Sequence, residues 1–228
     1  MRILVFDTET TGLPNSKIIN PDTLHLWPHI VQFSYIIYDT SMNDIVETSD
    51  EIVNLIDGVT VSEESTKIHG ITNQICSRKG ISIDLLLDNF FYHLKSADLL
   101  VGHNISFDIN MLRVELLRII YGYTDEVEKK NNINNLHLLT NFKNIYCTMQ
   151  ESIELCDIKV TNKSGKTYLK YPKLIELHKK LFDSEPNNLH NSFNDILVTL
   201  RCFMKLKHDI DLKTNCKKMK NYLSCLDI

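Results

Sequence analysis

RILVFDTETTG, residues 2–12, decides how the rest of the chain is read. Ile3–Phe6 is an unbroken apolar run, the pattern of a buried strand, and two acids follow it one residue apart, Asp7 and Glu9. Strand side chains alternate between faces, so both carboxylates point the same way at the end of an apolar element. Like charges that close repel and would raise one pKa. A divalent cation resolves the conflict by binding both, and oxygen-only ligands suit Mg2+ or Mn2+ rather than zinc. An isolated D-x-E also fits a strand running into a solvated acidic turn, so the reading depends on what the rest of the chain brings to the pair.

Outward from that strand, HIVQFSYIIYD (29–39) and DIVETSDEIVNL (44–55) read as two more strands, an antiparallel meander with the first. Ser62 before Glu63 and Glu64 marks a helix start, and GITNQI opens another short helix or turn. IDLLLDNFFYHLK (83–95) has helical spacing, ADLLVGHN (97–104) reads as a buried strand, and FDINMLRVELLRII (107–120) as an amphipathic helix. Residues 124–135, TDEVEKKNNINN, read as a polar, Asn-rich surface insertion. NIYCTM is a short strand with Thr148 placed to cap the next helix. KVTNKSGKTYLKY (159–171) is a hairpin with Ser-Gly in its turn, PKLIELHKKLF a helix with Pro172 near its first turn, and SFNDILVTLRCFMKLK (192–207) the last clear helix. This order predicts the α/β class: a mixed central sheet, meander plus parallel strands, flanked by helices.

Three further residues bear on the acidic pair. Asp108 falls in the first turn of the helix after VGHN, where an acid also serves the helix dipole. Asp195 and His190 are five apart; within one helix they would point about 140° away from each other. With His190 in the preceding loop and Asp195 in the first turn, both can face one cleft. Ser192 to Asp195 also matches a capping box.

FDTETTG (6–12), VGHNISFDINML (101–112) and HNSFND (190–195), with IHGIT (68–72) between the first two, resemble the exonuclease motifs of the DnaQ-like, DEDDh-type 3′→5′ exonucleases, in order and rough spacing. The likeness covers residues 1–206. It implies a ribonuclease-H-like fold and two divalent cations, Mg2+ or Mn2+, held by Asp7, Glu9, Asp108 and Asp195, with His190 as general base. It places Thr11, Gly12, Leu13, Glu64 and His69 where family members meet the terminal nucleotide. The implied substrate is a nucleic acid with a free 3′ end, single-stranded DNA being favoured and RNA the alternative. A DNA polymerase is a candidate partner, with proofreading the associated role; a non-catalytic binding module is a remote third reading, since all five catalytic positions are filled. The sequence departs from the family at Ser192 and Asn194, where small residues are usual.

Bulk properties narrow the class. No apolar run reaches the ~18 residues a membrane helix needs, and the N-terminus turns acidic after six residues, so neither a membrane nor export is expected and an intracellular place is. Six cysteines, at 76, 147, 156, 202, 216 and 225, lack metal or disulfide spacing and are expected to be free thiols. Residues 1–120 hold 16 acids against 8 bases, net −8, whereas residues 121–228 hold 13 against 17, net +4. The excess gathers in two runs, Lys159–Lys180 and Arg201–Lys220, either a polyanion-binding strip or solvated lysines. Residues 1–206 are expected to form the exonuclease domain, and 207–228 a lysine-rich tail, a candidate docking segment.

Overall fold

The computed structural model describes residues 1–122 and 125–228. β1 (Arg2–Thr10), β2 (Ile30–Asp39) and β3 (Asp44–Ile52) form the antiparallel meander. Short helices α1 (Glu63–His69) and α2 (Asn73–Lys79) follow, then α3 (Ile83–Leu94). β4 (Leu99–Gly102) enters parallel to β1 and leads into α4 (Ile105–Gly122). After α5 (Glu126–Asn141), β5 (Ile145–Cys147) adds parallel to β4, closing the sheet order β3-β2-β1-β4-β5. Then come α6 (Thr148–Glu151), α7 (Ile153–Cys156) and a separate hairpin of β6 (Lys159–Thr161) and β7 (Thr167–Leu169). The chain ends with α8 (Leu174–Phe182), α9 (Ser192–His208), α10 (Leu212–Asn215) and α11 (Lys217–Ser224). This is the ribonuclease-H-like mixed sheet flanked by helices that the sequence predicts.

Alternation along β1 splits the core in two. Leu4 and Phe6 pack with Phe33, Phe90 and Leu112 beneath α3 and α4. Ile3 and Val5 pack with Ile36, Ile196 and Leu200 beneath α9. Both faces of the sheet are covered, which is why every residue of β2 is buried, Gln32 and Ser34 included. Gly102 allows the turn from β4 into α4: a Cβ there would lie 2.9 Å from the Ile105 Cβ.

Three sequence readings are corrected. Within 124–135, Thr124 lies outside the described residues, and from Glu126 the chain is helix, capped by Asp125. Asn132, Asn135 and Leu139 share its buried side, so two of the four asparagines face the fold while Asn131 and Asn134 stay at the surface. Thr148 caps nothing; Cys147 is the N-cap, and the Thr148 hydroxyl bonds the His103 ring at 3.0 Å. Asn191, not Ser192, caps α9, accepting the Asn194 N–H at 3.3 Å.

The tail continues the fold. Leu212, Cys216, Met219 and Leu223, spaced four, three and four apart, are buried with Leu226 and Ile228 in the α9-side core. Lys218 donates to the Ile45 carbonyl at 2.6 Å, tying α11 to β3. The six cysteines are free. Among the described residues no helix is long and apolar enough to cross a membrane.

Arg201, 4% exposed, holds tail and helices together: it binds both oxygens of Asp211 at 2.8 Å, stacks over Phe182 at 3.9 Å and donates to His178 Nε2 at 2.9 Å. His178 is therefore neutral with its proton on Nδ1, which faces the Ser184 carbonyl at 2.8 Å, and burial pushes its pKa down to about 4. Asp211→Ala leaves the guanidinium buried and unpaired and is expected to cost on the order of 3 kcal/mol. Denaturant melts check this; a loss under about 0.5 kcal/mol, the scale of an ordinary surface substitution, would refute it.

Candidate active site

The C-terminal half of β1 carries the acids. Asp7 and Glu9 lie opposite Ser34 and Gln32 of β2, on the face beneath α9. Asp195, in the first turn of α9, descends onto them, and one oxygen from each of the three carboxylates lies within 4.8 Å of the others. Asp108 arrives from the opposite layer. β4 pairs with β1 only as far as Val5, and beyond that point Asp108 Oδ1 accepts the Thr8 N–H at 3.0 Å and the Thr8 hydroxyl at 2.7 Å. Asp108 is thereby fixed at the sheet's end, 2% exposed, outside the three-oxygen cluster yet close enough for its charge to act on Asp7.

The electrostatics follow from burial and crowding. Asp7 is pushed well above the usual carboxylate range by burial, then by the charges of Asp108, Asp195 and Glu9. Burial, with Asp195 and Asp108 beside it, raises Glu9 to about 8. Asp108 rises to about 7 through burial, against the pull of the Thr8 bonds, and Asp195 to about 7 for the same first reason. Without a cation the acids therefore hold protons near neutrality. A hard, oxygen-only donor set that cannot ionise alone fits Mg2+ or Mn2+.

The α9 N-terminus rests on a buried polar chain. Ser34 donates to Asp50 Oδ1 at 2.8 Å, so its 2.5 Å contact with the Ser192 hydroxyl has Ser192 as donor. Gln32 donates to the same Asp50 oxygen at 2.8 Å and accepts the Ser192 N–H at 3.2 Å. The unusual Ser192 thus has a partner, as does Asn194, whose amide donates to the Asn188 carbonyl at 2.8 Å and braces the loop. His190 sits in that loop, left-handed at φ 68°, and its N–H reaches Asp195 Oδ1 at 3.4 Å. Its ring is exposed and, among the described residues, hydrogen-bonds none of the acids.

The exonuclease family model matches residues 4–203, with all of these acids inside it. The chain belongs to that family. No curated protein matches it significantly. Among solved structures, E. coli Exonuclease I with a dA16 oligonucleotide superposes with a TM-score of 0.58 at 16% identity, over 97% of this chain and 42% of that one. The same enzyme with dT13 gives 0.59 at 17% identity, over 97% and 43%. Exonuclease I from Methylocaldum szegediense gives 0.55 at 15% identity, over 93% and 42%. These likenesses show a shared fold, and this chain spans less than half the length of those proteins.

Of the remaining expected site residues, Thr11, Gly12 and Leu13 follow β1, and Glu64 and His69 stand on α1. Thr11 is stitched to His29 in both directions, N–H to carbonyl at 2.8 Å and His29 N–H to Thr11 hydroxyl at 2.9 Å, and its carbonyl accepts the Ser62 N–H at 3.0 Å. That last bond sets the start of α1, whose first turn holds the exposed Glu64. A Cβ at Gly12 would meet nothing within 4 Å, and Leu13 is 81% exposed. His69 Nδ1 accepts the Ile71 N–H at 3.1 Å, so Nε2 carries the proton and donates to the Thr10 carbonyl at 3.2 Å. Both ring nitrogens are used inside the fold, and burial, with His190 nearby, lowers the imidazole's pKa against the pull of the Thr10 bond.

The sequence reading missed Gln32, Ser34, Asp50 and His103. Ser192, a hydroxyl where a small residue is usual, was the one visible signal of the first three, and nothing marked the role of His103. His103 joins the Thr148 hydroxyl to the Pro172 carbonyl, at 3.0 and 3.1 Å.

Raised carboxylate pKa values make metal binding and stability pH-dependent. Between about pH 4 and the raised values of about 7 to 8, the fold holds protons that the unfolded chain has released. The site thus destabilises the metal-free fold progressively as pH rises through that window. Bound cation removes the penalty, so the Mn2+-induced rise in Tm is expected to be small near pH 5 and several degrees larger near pH 8. Equal shifts at both pH values would contradict the assigned ionisation.

Proposed function

We propose that this exonuclease domain removes nucleotides from the 3′ end of single-stranded DNA, releasing nucleoside 5′-monophosphates. The observation that carries the reading is the half-buried convergence of Asp7, Glu9 and Asp195 within 4.8 Å, with Asp108 fixed beside it. The DNA-bound structures of similar fold support the choice of DNA. A polymerase partner forms no part of this reading.

Asp7, Glu9 and Asp195 would hold one cation, and Asp7 with Asp108 a second. When bound, the cations would supply charge that polarises the scissile phosphate and stabilises the oxygen that leaves. The protein's own groups do the rest. Asp108 is held by Thr8, and Asp195 by its helix and the His190 N–H, so the acids need little rearrangement to receive cations. His190, exposed on the loop before α9, takes the proton from the attacking water as the water oxygen bonds to phosphorus and the P–O3′ bond breaks, and the leaving 3′-oxygen takes a proton from solvent to become the new 3′-hydroxyl. The open space over Gly12 and the exposed Leu13 admit the terminal base, and Glu64 and His69 border it.

Three measurements test this. Asp7→Asn is expected to abolish cleavage while keeping the fold, and EDTA to do the same reversibly; chelator-resistant activity would sink the metal-dependent scheme. His190→Ala is expected to keep Mn2+ binding and lose about 10²–10⁴-fold in single-turnover rate, part of it recovered at higher pH. Wild-type rates in that variant would remove histidine from the reaction. Labelled single strands of DNA and RNA of one sequence, with free or phosphate-blocked 3′ ends, check direction and sugar: only free-ended DNA should be degraded rapidly, and cleavage of circular single strands would overturn the 3′-end assignment.

A further inference from the structure

We infer that the β6–β7 hairpin is an arm that holds the single-stranded DNA running back from the active site, with Lys163 and Lys166 on its phosphates and Tyr168 and Tyr171 on its bases. The inference rests on the DNA exonuclease reading above.

The hairpin stands apart from the five-stranded sheet, and two strands of three residues are marginal alone. Its own bonds keep its shape. Asn162 Oδ1 accepts the Ser164 and Lys166 N–H groups, both at 3.0 Å, Gly165 takes the left-handed φ of 82° that the turn requires, and the Thr161 and Thr167 hydroxyls meet at 3.0 Å. Its base is fixed to the catalytic rim, because the Pro172 carbonyl accepts the Nε2–H of His103, at the end of β4 and just before the helix that carries Asp108. From Pro172 to Lys166 the arm extends about 20 Å at strand rise.

Its surface suits an unpaired polyanion. Lys159 and Lys170 are paired with Asp157 and Glu176, at 3.5 and 2.6 Å. Lys163 and Lys166, at the turn, have no carboxylate within 4 Å among the described residues. Tyr168 is 50% exposed and Tyr171 58%, so two large rings lie against solvent where no core needs them. Lysines interleaved with exposed aromatics match a strand whose phosphates seek cations and whose bases seek flat partners. A protein partner would be better served by a contiguous apolar patch, and a duplex offers no free base faces. The need is local: the cleft carries the acids already named, and the half of the chain that builds β1–β4 is net −8 up to residue 120, so phosphates outside the metal positions find repulsion there.

The test measures binding of a long 3′-hydroxyl oligo-dT to the whole protein in Ca2+, over a range of salt concentrations. Lys163→Ala with Lys166→Ala is expected to weaken binding and to flatten log K against log salt by about 1.4, two phosphates' worth for a single strand. Lys163→Arg with Lys166→Arg should restore the slope. Tyr168→Ala is expected to weaken binding by about 5- to 150-fold, one stacked base. A wild-type slope and affinity in the alanine variants would overturn the arm. Hydrolysis of the p-nitrophenyl ester of thymidine 5′-monophosphate by the wild-type protein in Mn2+ reports on the catalytic centre alone. If that fails, the exonuclease reading falls; if it succeeds while the lysine and tyrosine variants bind normally, only the arm does.

Discussion

Carboxylates crowded at the buried end of one strand are the constraint on which the rest depends. Asp7 and Glu9 share a face because β1 is a strand, and Asp195 and Asp108 close on them from two different layers. Mutual repulsion and lost hydration make that arrangement unstable as a set of anions, and the raised pKa values express it. The fold must supply rigidity from elsewhere, and the acidic cluster that results is consistent with a divalent-metal site. This is the physical link between the end of the central strand and nuclease chemistry.

The rigidity is supplied largely by polar bonds. Asp108 accepts two bonds from Thr8 where β4 has left the sheet, so the acid takes up a donor that strand pairing would otherwise satisfy. On the other face, the Asp50–Ser34–Ser192 chain and the Gln32 amide seat the first turn of α9. An apolar residue at 192 would pack there too, but would leave the Ser34 oxygen without that donor. Asn191 and Asn194 then cap the helix and brace the loop that carries His190 to Asp195.

Charge is distributed to match. The first half of the chain, which supplies Asp7, Glu9 and Asp108, is acidic, and bases gather in the second half. The two basic runs have different fates. Several lysines of the tail flank a helix whose apolar side is already spent inside the fold, tied down by Lys218 and by the Arg201–Asp211 pair. Lysines 163 and 166 sit at the end of an exposed arm anchored through His103. Position in the fold, rather than the count of lysines, separates a solvated run from a surface suited to polyanions.

The sequence by itself determined the strand meander, the shared face of Asp7 and Glu9, the position of Asp195 at a helix start, the free cysteines and the family. These follow from local rules: strand alternation, helix period and short motifs whose residues are close in the chain. Only the tertiary structure decided the rest. The tail reads as lysine-rich, and its few apolar positions do not say which surface they cover; the fold lays Leu212, Cys216, Met219 and Leu223 into the α9-side core. The asparagines of α5 look solvent-facing because their composition is polar, yet packing against α4 buries Asn132 and Asn135. Thr8 meets Asp108 across 100 residues, and Ser34 meets Ser192 across 158. Such pairs are set by strand register and by where two helices land on a sheet, quantities that no local pattern contains.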